Sequence, residues 1–325
     1  MPEGVQIVVE SLHMVKEVVR DQNPSAGFIL FVISLYIKGD VMSKIAIVTD
    51  STAYMPKNLV EQYKITVIPQ ILIWDDKTYL DGVDILPDEF YRRLATAKNI
   101  PTTSQVAIVT MKETFEKLLE NGYDVLGIFI SSKLSGTIQS AIQAREMLVK
   151  AADKIAIVDS LATSMAMGFH ILSAAHAAQS GAGLADCQRV AEEAQKHTGV
   201  YFVVDTLEFL RRGGRIGGAQ ALLGSALNIK PLLALVDGRI EPVEKIRTKG
   251  KALERLVEIV VEKIAGQTPI RLASLHANAE AEASMVLNAA AAKLNPVEKY
   301  LTILAPVVGT HAGPGTVGLA YMAGM

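Results

Sequence analysis

The chain has 325 residues, half of them hydrophobic and 20% charged, with a formal net charge of −2. This is globular composition with apolar material for a sizeable core, and the length predicts about two domains. The near-zero charge gives no support for general nucleic-acid binding. The single cysteine, Cys187, excludes an intrachain disulfide and a cysteine-rich zinc site and fits a reducing compartment.

Residues 1–41 differ from the rest. The apolar run at 28–37 (FILFVISLYI) is too short for a spanning helix, which needs about twenty residues. It is also a poor signal peptide, because Glu10, Glu17 and Asp21 precede it and Lys38-Gly39-Asp40 follows in place of a small-residue cleavage site. Met42 stands directly before a strong strand. Residues 1–41 therefore read as an atypical, poorly ordered extension upstream of a protein that starts at Met42. The alternative is a short membrane-surface anchor, since 5–19 has helical periodicity.

From residue 42 the chain alternates strand and helix. Residues 45–48 read as a buried strand ending in Thr49-Asp50-Ser51-Thr52, followed by a helix over 56–63 with Pro56 in its first turn. Residues 65–74 give a second strand region broken by Pro69, then a turn at Asp75-Asp76 and a short helix over 87–95. A polar loop, Pro101-Thr102-Thr103-Ser104-Gln105, leads into a helix around 112–121. The strand at 125–130 runs into SSKLSGT (131–137), with Ser135 as the expected N-cap of the next helix. A strand at 155–158 ends at Asp159-Ser160. The helix over 163–179 is apolar almost all round and should be buried, and another helix covers 184–197. This order argues a parallel sheet with helices on both faces. Ligands of such sheets bind beyond the carboxyl ends of the strands, so the Ser/Thr clusters at 50–52, 102–104 and 131–137 should gather at one edge. The competing reading makes each cluster only a helix cap.

The pattern changes after Gly199. A strand at 201–204 precedes LEFLRRGGRIGG (207–218), where Gly213 and Gly214 permit φ > 0, a helix stop and a sharp turn. Arg211, Arg212 and Arg215 lie on or beside that bend, and their planar forks suit carboxylate or phosphate. The alternative is a helix C-terminus whose cations complement the dipole. Residues 232–236 and 240–246 flank Asp237-Gly238 as a β-hairpin. A helix over 249–265, a strand at 270–275, a helix over 279–294 and a strand at 301–304 complete a mixed sheet. His311 sits in a Gly/Pro-rich stretch, GTHAGPGT (309–316), read as a loop that is neither helix nor strand and exposes N–H groups suited to an anion. An ordinary loop histidine is the competing reading. His170 and His176 are six apart on one helix, the wrong spacing for shared metal ligation. His276, after a strand, is ambiguous. There is no phosphate-loop, HExxH, GxSxG or GxGxxG motif placed to support chemistry.

Seven motifs in order carry a resemblance: TDST (49–52), PTTSQ (101–105), SSKLSGT (131–137), DS (159–160), LEFLRRGGRIG (207–217), KIRT (245–248) and HAGPGT (311–316). From Lys44 to the C-terminus the chain resembles the DegV family. One departure is Val106-Ala107 after TSQ, where the family usually has Pro-Ser or Pro-Thr. The resemblance implies an α/β fold of two domains: a three-layer, mostly parallel sheet (42–199) and a mixed α/β sheet (200–308), with a ligand slot between them. Residues 309–325 are then a C-terminal tail that returns the HAGPGT loop to the site. It also implies a long-chain fatty acid as ligand, no cofactor, no metal and no catalytic residue of the chain's own. The carboxylate set it implies is Thr103, Ser104, Ser135, Gly136 and His311, with Ser51 and Asp159 in support. Arg215 and Arg247 would face a partner or the transferred phosphate. The implied partner is a separate ATP-binding fatty acid kinase subunit that makes acyl phosphate for phospholipid synthesis. The setting is cytoplasmic with transient membrane-surface contact. Hydroxyls and an imidazole are compatible chemistry, since they hold a carboxylate without a buried arginine pair. The competing hypothesis is a phosphotransferase or hydrolase acting on a small acid through His311 and a nearby serine.

Overall fold

The first half of the fold is laid down in chain order. β1 (Lys44–Asp50) ends in a 3-10 turn over Ser51–Ala53, followed by α1 (Lys57–Gln62) and β2 (Thr66–Ile68). β3 (Ile71–Trp74) and β4 (Lys77–Leu80) form a hairpin whose turn residues Asp75 and Asp76 both have positive φ. Next come α2 (Pro87–Leu94), β5 (Thr102–Ser104), α3 (Ile108–Glu120), β6 (Tyr123–Phe129), α4 (Thr137–Met147), β7 (Ile155–Asp159), α5 (Ser164–Gln179) and α6 (Leu184–Lys196). The computed structural model describes residues 44–225 and 229–325; the extension at 1–41, with both readings of it, lies outside the described residues.

β2, β1, β6 and β7 pair in that order, all parallel. Their side chains alternate between two cores, as a two-sided sheet requires. Ile47, Leu126, Ile128 and Val158 pack with the residues of α5 and α6, whereas Val48, Val125 and Ile155 pack with Met111 and Phe115 of α3 and Ala141 of α4. This is the three-layer arrangement. Pro69 sits at the join where the chain leaves β2 for a separate antiparallel sheet, β4-β3-β5. The Thr-Thr-Ser segment read as a loop is therefore an edge strand, β5, with Thr103 opposite Leu72.

The second half continues with β8 (Thr198–Val203), the short helix α7 (Glu208–Arg212), a 3-10 stretch over Gly217–Ser225, β9 (Lys230–Val236), β10 (Arg239–Ile246), α8 (Lys249–Ile264), β11 (Ile270–His276), α9 (Glu280–Leu294), β12 (Glu298–Ile303), α10 (Pro306–Ala312) and β13 (Val317–Ala323). The sheet order is β10-β9-β8-β13-β11-β12, antiparallel except for the β11–β12 pair. Two sequence expectations change here. The C-terminal residues are not a tail: β13 is a central strand between β8 and β11. His311 is not in a loop: it stands on α10, which starts with Pro306 at its first positions and stops at Gly313, where φ is +79°. The Asp237-Gly238 turn is confirmed, with φ of 49° and 79°.

One face of the mixed sheet is covered by α8 and α9, through Leu256, Val260, Val286 and Leu287 against Leu272 and Leu319. The other face, with Val200, Leu275 and Ala320, joins the core that includes α5 and the parallel sheet. Residues 44–325 thus make one compact unit of two α/β halves that share α5. No helix among the described residues is long and apolar enough to cross a membrane.

Candidate functional site

A cavity lies between the carboxyl-end loops of the parallel sheet and the inner face of the mixed sheet. The space between these walls is about 940 Å³ with the open solvent at its mouth included. Its apolar wall comes from both halves and includes Ile130, Leu134, Val200, Phe202, Leu235, Leu275, Leu304 and Val307. Thr52, Gln70, Thr103, Ser104, Gln105, Ser135, Thr163, Ser164, Arg215, His311 and Thr316 supply the polar wall. The Ser/Thr clusters do converge, but by two routes. Thr52 and Ser135 follow parallel strands, whereas Thr103 and Ser104 arrive on β5 from the small antiparallel sheet.

His311 and Thr103 form the closest contact across the site, with Nε2 2.7 Å from Thr103 Oγ1. The other ring nitrogen, Nδ1, is buried without a partner among the described residues. Burial, and then the neighbouring Arg215 guanidinium, push the imidazole down to about 4 from its ordinary 6.5. It is therefore neutral at physiological pH and able to take up a proton when an anion arrives. Gly213 explains how the ring fits. Its own φ of −72° suits any residue, but a Cβ there would lie 2.0 Å from His311 Nδ1. Gly309 makes the same kind of room on α10, where a Cβ would meet Tyr91 Oη at 2.3 Å.

Arg215 fastens the two halves at this point. Its Nε donates to Leu134 O at 3.0 Å and its Nη1 to Gly213 O at 2.6 Å. The hairpin tip adds a second clasp, with Ser131 Oγ donating to Gly238 O at 2.9 Å. Outside Thr103, His311 and Arg215 lies a polar recess whose wall also includes Lys98, Asn99, Thr102 and Arg212. The same three residues line both spaces, so cavity and recess meet at them.

The family model "Uncharacterised protein, DegV family" matches residues 44–324. The chain belongs to the DegV family. Protein DegV of Bacillus subtilis is 38% identical over 280 residues, 85% of this chain and 98% of the relative. Among solved structures, a DegV family protein from Thermus thermophilus, reported for its fatty acid binding, superposes with a TM-score of 0.82 at 33% identity, covering 86% of this chain and 99% of that one. DegV of Bacillus subtilis, described as a fatty acid binding protein, gives 0.79 at 38% identity, covering 86% and 99%.

In this DegV chain Thr103, Ser104, Ser135 and His311 reach the cavity wall. Gly136 is the N-cap of α4 and lies outside the lining; Ser135, one residue earlier, accepts from Thr137 N at 3.3 Å. Ser51 and Asp159 stand behind the wall. Ser51 is buried and donates to Asp81 Oδ2 at 2.5 Å, while Asp159 Oδ1 accepts from Ser132 N and Leu161 N and so fixes loops. The two arginines separate. Arg215 is on the cavity wall beside His311, not set apart from it, because the bend after α7 turns it back toward Leu134. Arg247 is exposed between β10 and α8 and does not line the cavity. Arg211 and Arg212 are both tied to Glu208 on α7, the dipole-complementing arrangement. His311 has Thr103 as its hydrogen-bond partner and no serine hydroxyl, so the serine–histidine pair of a hydrolase is not formed among the described residues.

Sequence reasoning passed over Gln70. It sits in an apolar run after Pro69, gives no motif, and is 3% exposed while lining the cavity.

Proposed function

We propose that the protein binds one long-chain fatty acid, with the acyl chain in the apolar cavity and the carboxylate at Thr103, Ser135 and His311, flanked by Ser104 and Arg215. The single observation that carries this reading is an apolar cavity whose polar wall holds hydroxyls, a neutral imidazole and one guanidinium together. A carboxylate needs donors, and an acyl chain contributes about 0.8 kcal/mol per CH₂ removed from water. Two relatives described for fatty acid binding, at 33% and 38% identity, support the same ligand class.

The protein then presents that carboxylate to a separate ATP-dependent kinase subunit, giving acyl phosphate for phospholipid synthesis. It works in the cytoplasm and touches the membrane surface only to exchange lipid. The polar recess with Lys98, Arg212 and Arg215 supports this, because cations beside the carboxylate suit an incoming phosphoryl group. The oxygen that attacks phosphorus is the ligand's own, so the chain serves as carrier and not as a complete enzyme. Incubating the protein with fatty acid, ATP and magnesium tests the division. Acyl phosphate should form only when a cognate kinase subunit is added; formation without it assigns the chemistry to this chain.

A further inference from the structure

Hydrogen bonds behind Ser135 have a direction, and one side chain sets it. The Gln70 amide nitrogen Nε2 donates to Thr137 Oγ1 at 2.8 Å, with both residues buried. Gln70 is itself held at two points: its N–H donates to Ser51 Oγ at 3.0 Å, and its carbonyl accepts from Asp81 N at 3.0 Å. Its amide also lies against the Asp50 carboxylate, which already accepts from Ile130 N and from Thr52 N and Oγ1. An acid on that side keeps the donor end of the amide turned inward.

The consequence passes along the chain of hydroxyls. Thr137 Oγ1 and Ser135 Oγ lie 2.9 Å apart, and either could donate. Thr137 is fully buried, Gln70 Nε2 offers it no acceptor, and Ser135 Oγ is the acceptor in reach among the described residues, so the Thr137 hydrogen is best satisfied there. Ser135 Oγ also accepts from Thr137 N. Both of its lone pairs are then used, and its hydrogen is left to donate into the cavity that Ser135 lines. A hydroxyl can point either way; with Thr137 as the donor, this one is committed to donate. Such commitment favours a group that only accepts, an ionised carboxylate, over one that donates as well.

We infer that Gln70 is a positioning residue that makes Ser135 a hydrogen-bond donor to the ligand carboxylate, acting through Thr137. The inference rests on the fatty-acid reading above and names what gives that site its preference for the ionised acid.

The test is Gln70→Glu, nearly the same shape, with palmitate as probe and affinity read as the ratio to wild type at each pH from 8.5 to 5.5. An ionised carboxylate at this position only accepts. Thr137 would then donate to it, and Ser135 would donate to Thr137 and lose its free hydrogen. Palmitate should bind roughly 10- to 100-fold more weakly at pH 8.5. Asp50 and, through Ser51, Asp81 are the titratable groups that face this position, so the introduced carboxyl should protonate well above the usual carboxylate range. Once protonated it donates to Thr137 as the amide does, and the ratio should return toward one by pH 5.5. In a Ser135→Ala background the same substitution should cost little more, which separates hydroxyl direction from simple charge repulsion. Gln70→Met serves if the glutamate variant does not fold: it frees Thr137 to turn either way, and a roughly 2- to 5-fold loss independent of pH is expected. Wild-type affinity in these variants, a loss equal at every pH for Gln70→Glu, or an undiminished loss in the Ser135→Ala background overturns the inference while leaving the fatty-acid reading intact. A wild-type protein that binds no palmitate overturns both.

Discussion

Two adjacent glycines give opposite predictions, and together they probe how His311 is held. Gly213 has ordinary helical φ, −72°, so alanine costs nothing in backbone strain and gains helix propensity of about 1 kcal/mol at most. Its Cβ, however, would sit 2.0 Å from His311 Nδ1 and 2.8 Å from Cε1, on the inner side of the ring. The imidazole must retreat by about 1 Å in a close-packed site. That breaks the 2.7 Å contact with Thr103 and displaces the group proposed to meet the carboxylate. Losing a hydrogen bond to a charged ligand costs about 1.5–3 kcal/mol, so Gly213→Ala should weaken fatty-acid binding about 10- to 100-fold while thermal stability changes little. Gly214 is the reverse case. Its φ is +70° and nothing lies within 4 Å of a Cβ there, so Gly214→Ala should cost about 1–2 kcal/mol of stability and leave affinity unchanged. Calorimetric titration with palmitate and thermal unfolding of both variants decide the matter. Wild-type affinity in Gly213→Ala would show that His311 does not help to hold the head group.

Further outcomes follow from the same geometry. Arg215→Ala should lower affinity about tenfold, because it removes the clasp to Leu134, the local bond to Gly213 O and a cation beside the proposed carboxylate position, and lysine should rescue poorly. Arg247→Ala should leave binding unchanged in the same titration. The His311 imidazole, held near 4 in the free protein, should titrate higher once palmitate is bound and also in Arg215→Ala; an NMR titration with one curve in all three states refutes the contact. His170 is buried with both ring nitrogens unpartnered among the described residues and is pushed down to about 3 by burial. Its folded-state value lies below the unfolded 6.5, so the unfolded chain binds more protons in that window and stability falls as pH drops from 6.5 toward 3. His170→Leu should raise stability by about 1 kcal/mol or more at pH 7 and blunt the acid loss, read by denaturant unfolding at pH 7 and pH 5.

Local signals account for what the sequence made legible. Apolar runs ending in Ser, Thr or Asp gave β1, β6 and β7, and the Asp-Gly and Asp-Asp pairs gave the hairpin turns, because backbone sterics act within a few residues. The misses are long-range. Thr102-Thr103-Ser104 lacks apolar alternation, yet β3 offers it a ladder. Val317–Ala323 carries Gly318 and Ala320, poor strand formers, and is drawn in by partners on both sides. His311 stands between glycines that look like a loop, but Asp81 Oδ1 accepts from Val307 N at the start of α10 and Tyr91 packs against Gly309. In the site, Thr103, Ser135 and His311 were readable as polar residues in punctuated segments. That Arg215 lines the cavity beside His311 as well as the outer recess was not legible, because a bend direction is not written in residue types, and Gln70 was invisible because its contact is with Thr137, 67 residues away.

A fatty acid held by its carboxylate at Thr103, Ser135 and His311 is the proposal on which the binding predictions rest. Native mass spectrometry of the purified protein reads it directly, first as isolated and then after delipidation and exchange with palmitate or its methyl ester. A single long-chain fatty acid adduct is expected, one that palmitate restores and the ester does not, with the palmitate adduct diminished in Ser135→Ala. Equal retention of acid and ester, or a protein that never carries either, would contradict carboxylate recognition at these residues.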